Sequence, residues 1–280
     1  MKRISCAIVV LCALVVPASP ATAAAPVPYV ALGDSYSSGE GNGPFDGPCH
    51  RALAGASAYP RMLPSLVGYL AQPSFHACTG ATIADVLARP QPRRGNQRIQ
   101  LEYVDPSTRL VTLTIGGNDL GFEDIVKQCL LPGNCSKWKL AERVEAGLQT
   151  IKPHLVDAYT QVRSHMDSGG QLLVAGYPRL FVSEDADCKL FISDTEAKWM
   201  NSLVIRGNRR IAEAARAARR QRGNVSYVDV TERFAGHELC SDDPWLYGIH
   251  ITAGDGIYKG SYHPRPSGQA AYASAFATLL

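Results

Sequence analysis

Apolar positions along the chain follow two spacings, and each spacing predicts a different element. Short apolar runs of strand length occupy residues 27–32, 109–115, 171–175 and 225–230. Between residues 141 and 166 the apolar side chains recur every three or four residues, the spacing of one helix face. The positions on this face are Val144, Leu148, Ile151, Leu155, Tyr159, Val162 and Met166. Pro153 lies inside the pattern and predicts a kink or a break there.

A second helix is predicted over residues 194–222, with one apolar face and one face rich in arginine. Strands that alternate with helices are typical of an α/β fold, and no internal repeat or linker divides the chain. We therefore expect one domain over residues 26–280. Its architecture should be an α/β/α sandwich of three layers around a mostly parallel sheet.

The first residues have the pattern of a secretory leader. Two basic residues precede an apolar run over residues 4–16, and small residues follow up to Ala25. The run is too short for a stable membrane span, which makes an uncleaved anchor the weaker alternative. We expect cleavage after Ala23 or Ala25, so that residues 1–25 are a signal peptide and the mature protein is secreted.

Composition and charge exclude several classes of protein. With 46% hydrophobic residues, and with 28 basic against 25 acidic residues, the chain is neither disordered nor strongly charged. The net charge of +3 falls to +1 once Lys2 and Arg3 are lost with the leader, so no nucleic-acid partner is expected. We expect a monomer without a stable membrane span.

The arginine-rich face of the second predicted helix has two interpretations. It is either a solvated surface or a transient contact for an anionic lipid surface. The arginines are Arg206, Arg209, Arg210, Arg216, Arg219, Arg220 and Arg222.

Six of the eight cysteines remain once Cys6 and Cys12 are removed with the leader. An even number in an exported chain favours disulfides, although six cysteines allow 15 pairings. We expect sequential pairing, and the Pro-Gly-Asn turn inside the middle pair makes that short loop easy to close. The pairs would be Cys49–Cys78, Cys129–Cys135 and Cys188–Cys240. A metal site is a weak rival, because the chain has no C-x-x-C pair and Ser241 interrupts the only H-E-x-x-H-like segment.

Ligands of α/β folds bind beyond the carboxyl ends of the strands. Functional residues are therefore expected directly after Leu32, Ile115, Ala175 and Val230. The first of these positions leads into Gly33-Asp34-Ser35-Tyr36, a glycine turn that makes Ser35 a candidate nucleophile. The turn does not match G-x-S-x-G, so the usual α/β-hydrolase layout is disfavoured.

Three further segments carry groups that such a serine would need. Gly116-Gly117-Asn118-Asp119 follows the second strand, and Asn118 offers a side-chain N–H donor. Gly80 lies between these strands in sequence and could present its backbone N–H. His263-Pro264 lies near the C-terminus, where a proline-flanked loop before a final helix would hold the histidine rigidly. No metal or organic cofactor is expected.

In their order along the chain, these four segments resemble those of the SGNH (GDSL-type) hydrolases, in particular the secreted actinobacterial esterases, lipases and phospholipases. The resemblance spans residues 31–268 and implies the SGNH fold. It also implies Ser35 as the nucleophile that forms an acyl-enzyme and His263 as the general base. The Ser35 N–H, the Gly80 N–H and the Asn118 side chain would form the oxyanion hole. Three disulfides are familiar in this branch, which supports the sequential pairing.

One position departs from the family pattern in a way that affects the chemistry. Many members have an aspartate three residues before the histidine, where this chain has Gly260. Some secreted members orient the histidine with a backbone carbonyl instead. We therefore expect a Ser–His dyad, with the Gly260 carbonyl as the first candidate and Asp255 as a fallback. Tyr36 stands in place of the family's leucine, without an expected effect on the chemistry.

Structural roles are predicted for other polar residues near these segments. Asp34 should brace the serine turn through hydrogen bonds, and Asp119 should act as a cap or loop brace. Trp199, Trp245 and Tyr247 are candidates for lining an acyl pocket, with core packing an equal alternative for Trp199.

These features predict a secreted carboxylic-ester hydrolase, an esterase or lipase whose substrate is an acyl ester or a lipid. The alternatives within this class are phospholipase A-type activity and polysaccharide O-deacetylation. A non-catalytic secreted binding protein on the same scaffold is an alternative of a different class. The presence of Ser35, Asn118 and His263 together counts against it.

Overall fold

The computed structural model describes residues 24–55, 57–91, 98–129, 133–137, 139–182, 192–249 and 260–280, with the backbone of residues 251–252 and 256–257. The signal peptide predicted over residues 1–25 lies outside the described residues except for its last two. The strands are β1 (Tyr29–Gly33), β2 (Phe45–Asp46), β3 (Arg51–Ala52), β4 (Ser74–Phe75), β5 (Leu110–Thr114), β6 (Gln171–Ala175), β7 (Val225–Val228), β8 (Ile251–Thr252) and β9 (Gly256–Ile257). The helices are α1 (Ser35–Ser38), α2 (Tyr59–Val67), α3 (Ile83–Leu87), α4 (Phe122–Cys129), α5 (Lys139–His165), α6 (Asp194–Arg222) and α7 (Pro266–Ala277).

Five strands form a parallel sheet in the order β4-β1-β5-β6-β7. Successive side chains of a strand point to opposite faces of a sheet, and here both faces are buried. Tyr29 and Ala31 of β1 belong to a core cluster shared with α2 and α7, whereas Val30 and Leu32 belong to a second cluster shared with α3, α5 and α6. Helices therefore cover both faces of the sheet, which confirms the expected α/β/α sandwich.

The two long helices occupy almost the predicted ranges and pack against each other. Helix α5 continues through Pro153, so the predicted break at this residue is wrong. Its apolar face stays buried along its length, and this packing outweighs the backbone hydrogen bond that a proline removes. Helix α6 begins at a capping box in which Ser193 and Glu196 bond each other's backbone N–H groups.

The arginines of α6 divide into two groups. Arg206 pairs with Glu145 of α5 at 2.5 Å, and Arg210 pairs with Glu213 at 3.1 Å. The arginines from Arg216 onward lie on the last turns of α6, which lead into the amino end of β7. They therefore lie at the end of the sheet opposite to the carboxyl end of β1, where Ser35 is. Because they lie away from the candidate site, their position favours the solvated-surface interpretation. None of the helices in the described part of the chain combines the length and apolar character needed to span a bilayer.

Candidate active site

Ser35 lies at the carboxyl end of β1, where the chain leaves the sheet. β1 runs parallel to β5, with Gly33 opposite Thr114. Gly33 has a φ of +125°, and a Cβ there would lie only 2.6 Å from the Thr114 carbonyl oxygen, so the turn requires glycine. Asp34 then caps α1 by accepting the backbone N–H of Tyr36 at 3.0 Å. The predicted role of Asp34 as a brace for the serine turn is confirmed.

The Asp34 carboxylate is buried and is held by two hydroxyl groups in addition to that backbone donor. The Thr114 hydroxyl donates to Oδ1 at 2.7 Å, and the Tyr177 hydroxyl donates to Oδ2 at 2.5 Å. Burial raises the pKa of Asp34 to about 6, and these hydrogen bonds oppose the rise. Sequence reasoning missed Tyr177, although it stands two residues after the end of β6, at one of the positions where function was expected.

The segments with Gly80 and Asn118 meet at the same edge of the sheet, because they follow β4 and β5, which are the two neighbours of β1. The Asn118 side chain donates an N–H to the carbonyl of Ala81 at 2.8 Å, which fixes the amide beside the residue that follows Gly80. An amide group has a second N–H, and both Gly80 and Asn118 line the cavity that also contains Ser35. Asp119 accepts the backbone N–H of Ile83 at 3.1 Å at the start of α3, so its predicted role as a cap is confirmed.

The loop that carries Gly80 is fastened by the predicted disulfide between Cys49 and Cys78, which is present and fully buried. The backbone N–H of Thr79 donates to the Cys49 carbonyl at 3.0 Å. The disulfide and this hydrogen bond together hold the loop against Cys49. The predicted Cys129–Cys135 disulfide is also present, next to the end of α4. The third predicted pair includes Cys188, which lies outside the described residues, and it stays a prediction.

His263 lies in the same cavity, with its ring centroid 5.1 Å from that of Tyr36, the residue after Ser35. Its Nδ1 is 3.0 Å from the Ser261 carbonyl oxygen. The sequence prediction placed the Gly260 carbonyl at this nitrogen, but that carbonyl accepts the backbone N–H of His263 at 3.0 Å instead. The Gly260 carbonyl is therefore used by a backbone turn. The same turn places the next carbonyl in the chain, that of Ser261, beside the imidazole of His263. The fallback residue, Asp255, lies outside the described residues.

The histidine loop is tied directly to the serine turn. The Tyr36 hydroxyl donates to the carbonyl of Tyr262 at 2.7 Å, and the Asn42 side chain donates to the carbonyl of Pro264 at 2.8 Å. The family resemblance predicts that Tyr36, which stands in place of leucine, has no effect on the chemistry. A leucine has no hydroxyl with which to make the first of these bonds, so Tyr36 adds a link between the two candidate catalytic segments.

Two opposing influences set the pKa of His263. Burial of the ring lowers it, whereas the negative charge of Glu40 and the Ser261 carbonyl raise it. Glu40 is buried and its carboxylate lies 2.9 Å from Nδ1 of His50. The lowering dominates, which keeps the imidazole neutral, as a proton acceptor must be, at neutral pH.

We expect Glu40→Gln to move the acid limb of the kcat/KM profile to lower pH, because removing the Glu40 charge lowers the pKa of His263 further. The rate at the plateau should fall by less than about tenfold, since a charge acting at a distance contributes less than a direct hydrogen bond. The measurement is kcat/KM of an activated ester from pH 4 to pH 9. Glu145→Gln, which breaks a pair with Arg206 instead, is the control and should leave the profile unchanged. An acid limb that stayed in place or moved upward in Glu40→Gln would contradict the prediction.

An apolar cavity of about 170 Å³ leads away from Ser35 and His263. Side chains from α5 and α6, together with the segment that enters α4, form its walls. They include Leu120, Val144, Leu148, Leu155, Met200 and Leu203. Among the described residues, its lining does not include Trp199, Trp245 or Tyr247. Trp199 packs against the hydrophobic core instead, which is the alternative expected for it. The pocket is built from the apolar faces of the long helices, which the periodicity had identified only as core.

The fold is similar to those of two solved hydrolases from Streptomyces. A phospholipase A1 from Streptomyces albidoflavus NA297 aligns with a TM-score of 0.75 and 31% identity, over 91% of this chain and 99% of the solved chain. An extracellular lipase from Streptomyces rimosus aligns with a TM-score of 0.74 and 33% identity, over 91% of this chain and all of the solved one. The chain therefore has the SGNH hydrolase fold.

Sequence comparisons agree with this class. A lipase of Streptomyces rimosus is 35% identical over 245 residues, which cover 86% of this chain and 82% of the relative. Lipase 1 of Streptomyces coelicolor is 33% identical over 248 residues, with the same coverage. The profile of the GDSL-like lipase/acylhydrolase family matches residues 31–271. This chain belongs to that family and is a carboxylic-ester hydrolase.

Proposed function

We propose that this protein is a secreted esterase or lipase that cleaves carboxylic acyl esters through an acyl-enzyme on Ser35. In the first step Oγ of Ser35 bonds to the ester carbonyl carbon while His263 takes the serine proton. The carbon–oxygen bond to the alcohol then breaks, and the leaving alkoxide receives the proton from His263. Water repeats these steps on the acyl-enzyme, with His263 again as the base, and releases the carboxylic acid.

The same proposal makes the catalytic pair a Ser–His dyad. A proton on Nδ1 that is donated to the Ser261 carbonyl leaves Nε2 as the basic nitrogen that would take the serine proton. The neutral carbonyl orients the ring as the carboxylate of a triad would, but without a full negative charge. The buried Glu40 supplies part of the missing charge, because its carboxylate favours the imidazolium form of His263.

The backbone N–H groups of Ser35 and Gly80 and the side chain of Asn118 complete the proposed site as an oxyanion hole. These donors belong to three segments that the parallel sheet brings to one edge. Donors fixed before the reaction stabilise the charge that develops on the carbonyl oxygen and need not reorganise as it forms.

The observation that carries the substrate class is the apolar cavity beside Ser35 and His263. An acyl chain of several carbons gains free energy by leaving water for such a cavity, at about 0.8 kcal/mol for each buried CH₂ group. An acetyl group would leave most of it empty, which disfavours polysaccharide O-deacetylation. The presence of this cavity beside a nucleophile and a base also disfavours a binding protein without catalysis.

A phospholipase A-type activity is the second candidate. It is favoured by the similarity to the phospholipase A1 of Streptomyces albidoflavus NA297. The cavity is compatible with this activity, because it would hold a fatty acyl chain in the same way whichever alcohol the ester carries. Export is proposed from the leader-like residues 1–25 together with the buried disulfides, which form in oxidising compartments.

Gly207 provides a test of the acyl cavity. It lies in the interior of α6, where glycine is about 1 kcal/mol less favourable than alanine. A Cβ at this position would make only an ordinary contact, 3.7 Å from Leu120, so packing does not demand glycine. Gly207 lines the cavity, and its lack of a side chain leaves space for substrate.

We expect Gly207→Leu to shorten the acyl chains that the protein accepts. Loss of two or three buried methylene groups corresponds to about 2 kcal/mol, or roughly thirtyfold in kcat/KM for p-nitrophenyl palmitate. The rate with p-nitrophenyl acetate should change little. The measurement is kcat/KM for the acetate, butyrate and palmitate esters and for a phosphatidylcholine in mixed micelles. Gly207→Ala is the matched control and should keep the wild-type preference with a slightly raised Tm. Equal loss on all esters, or no loss on palmitate, would count against an acyl chain in this cavity.

A further inference from the structure

Tyr177 lies two residues after the end of β6, the strand next to β5 in the sheet. Its ring lines the cavity that contains Ser35, Asn118 and His263. A partly buried tyrosine is usually explained by packing, with its hydroxyl satisfied by any convenient partner. The partners of this hydroxyl are not arbitrary, because each one directly precedes a residue of the proposed site.

The hydroxyl makes two hydrogen bonds whose directions are fixed by chemistry. The backbone N–H of Gly117 can only donate, and it donates to Oη of Tyr177 at 3.2 Å. The hydroxyl proton is then available to Oδ2 of Asp34, 2.5 Å away. Asp34 immediately precedes Ser35, and Gly117 immediately precedes Asn118. One oxygen atom therefore connects the serine turn to the turn with the Asn118 donor.

Tyr177 is itself held on several sides. Its backbone N–H donates to Oδ1 of Asn208 at 2.9 Å, and Nδ2 of the same asparagine donates to its carbonyl at 2.7 Å. Its ring packs edge-on against that of Tyr36, with the centroids 5.0 Å apart. Gly117 packs against the hydroxyl end of the ring, where a Cβ at position 117 would lie 3.3 Å from both Cζ and the hydroxyl oxygen of Tyr177. The hydroxyl has little freedom to move away from its two partners.

We propose that Tyr177 is a positioning residue, whose hydroxyl sets the separation between Ser35 and the oxyanion donor Asn118 by tying Asp34 to the backbone of Gly117. This role rests on the function proposed above for Ser35 and Asn118. Displacement of a reacting or stabilising group by about 1 Å can reduce a rate by about 10². Loss of this hydrogen-bonded link between the two turns is therefore enough to reduce turnover, although the Tyr177 hydroxyl bonds to Asp34 and Gly117 rather than to the substrate.

The hydrogen bond from Tyr177 also affects the pKa of the Asp34 carboxylate. Asp34 faces the hydroxyls of Tyr177 and Thr114, the backbone N–H of Tyr36 and, at longer range, the charge of Asp119. The Tyr177 hydrogen bond favours the ionised carboxylate, so its removal raises the pKa of Asp34 above about 6. Protonation then weakens the acceptor for the remaining donors at a higher pH than in the native protein. A change in the pH profile is therefore a readout that a purely packing role would not produce.

The test compares Tyr177→Phe with Tyr272→Phe. Tyr272 is also a buried tyrosine beside Tyr36, with the ring centroids 6.2 Å apart, but its hydroxyl donates to the carbonyl of Gly176 at 2.8 Å. We expect Tyr177→Phe to lower kcat by about 10- to 100-fold with KM changed less than about twofold, and to move the acid limb of kcat/KM to higher pH. Tyr272→Phe should lose thermal stability without this change in the pH profile.

Gly117→Ala tests the same tie from its other end and serves if Tyr177→Phe does not fold. The new methyl group would press on the Tyr177 ring, and kcat should again fall with KM nearly constant. Wild-type kcat and pH profile in Tyr177→Phe, or equal changes in both Tyr→Phe variants, would overturn the positioning role. Ser35→Ala measured alongside separates the two proposals. Full activity of Ser35→Ala would reject the proposed function itself, whereas an inactive Ser35→Ala with an unaffected Tyr177→Phe would reject only the role of Tyr177.

Discussion

Ser35→Ala is expected to lower kcat on p-nitrophenyl butyrate by at least about 10⁴-fold, because the variant has no oxygen with which to form the acyl-enzyme. The folded structure should persist. Ser35 is 8% exposed at the cavity surface, and the cap of α1 is made by Asp34 rather than by this side chain. The residual rate should come from the oxyanion donors and from substrate binding, which alone accelerate such reactions about 10³- to 10⁴-fold over water.

Ser38→Ala is the matched control for this experiment. It removes a hydroxyl from the same turn, where the Ser38 side chain donates to the Ser35 carbonyl at 3.2 Å. Its activity should stay within about tenfold of the wild type, since the loss of one neutral hydrogen bond costs about 1 kcal/mol. A Ser35→Ala protein as active as Ser38→Ala would rule out the acyl-enzyme on Ser35.

Asn118→Ala is expected to lower kcat by about 10²- to 10³-fold, the usual loss for one oxyanion donor. KM should change little, because the negative charge that the side chain stabilises develops only in the transition state. The two constants are separated by steady-state kinetics on a soluble ester below its micellar concentration. A rise in KM at constant kcat would mean that Asn118 binds the substrate in its ground state instead.

The neighbouring residue supplies the control for Asn118. Asp119→Asn keeps an oxygen that can accept the backbone N–H of Ile83, the bond with which Asp119 holds the start of α3. This variant should retain kcat near the wild-type value. A Tm of Asn118→Ala close to that of the wild type would show that loss of the bond between Asn118 and the Ala81 carbonyl has not loosened the fold, so that the fall in kcat reports the oxyanion donor.

The elements with strong apolar patterns could be predicted from the sequence. The central strands are buried on both faces and show as short continuous apolar runs. The two long helices bury one face and show as apolar residues three or four positions apart. Helix α2 could not be predicted in this way, because it is short and contains Pro60 and Pro64. Strand β4 consists of only Ser74 and Phe75, which is too short for any alternation to be visible.

The candidate site divides in a similar manner. Ser35, Gly80, Asn118 and His263 could be selected because each stands in a short motif, and the parallel pairing of β1 with β5 explains why two of these motifs meet. The carbonyl beside His263 could not be predicted, because the choice between neighbouring carbonyls depends on turn geometry at the positive φ of Tyr262. The same is true of contacts made across long separations in sequence, such as that of Tyr177 with Asp34.

The cavity occupies space that would otherwise be core between α5 and α6. Every side chain that faces it gives up packing contacts, and filling such a void usually stabilises a protein. Substrate range and heat resistance are therefore linked in this molecule. Variants selected for thermostability should tend to accumulate larger residues at positions such as 207. These variants should then prefer esters with short acyl groups. Variants selected for bulkier esters should begin from a stabilised parent, whose surplus stability can absorb the loss of interior contacts.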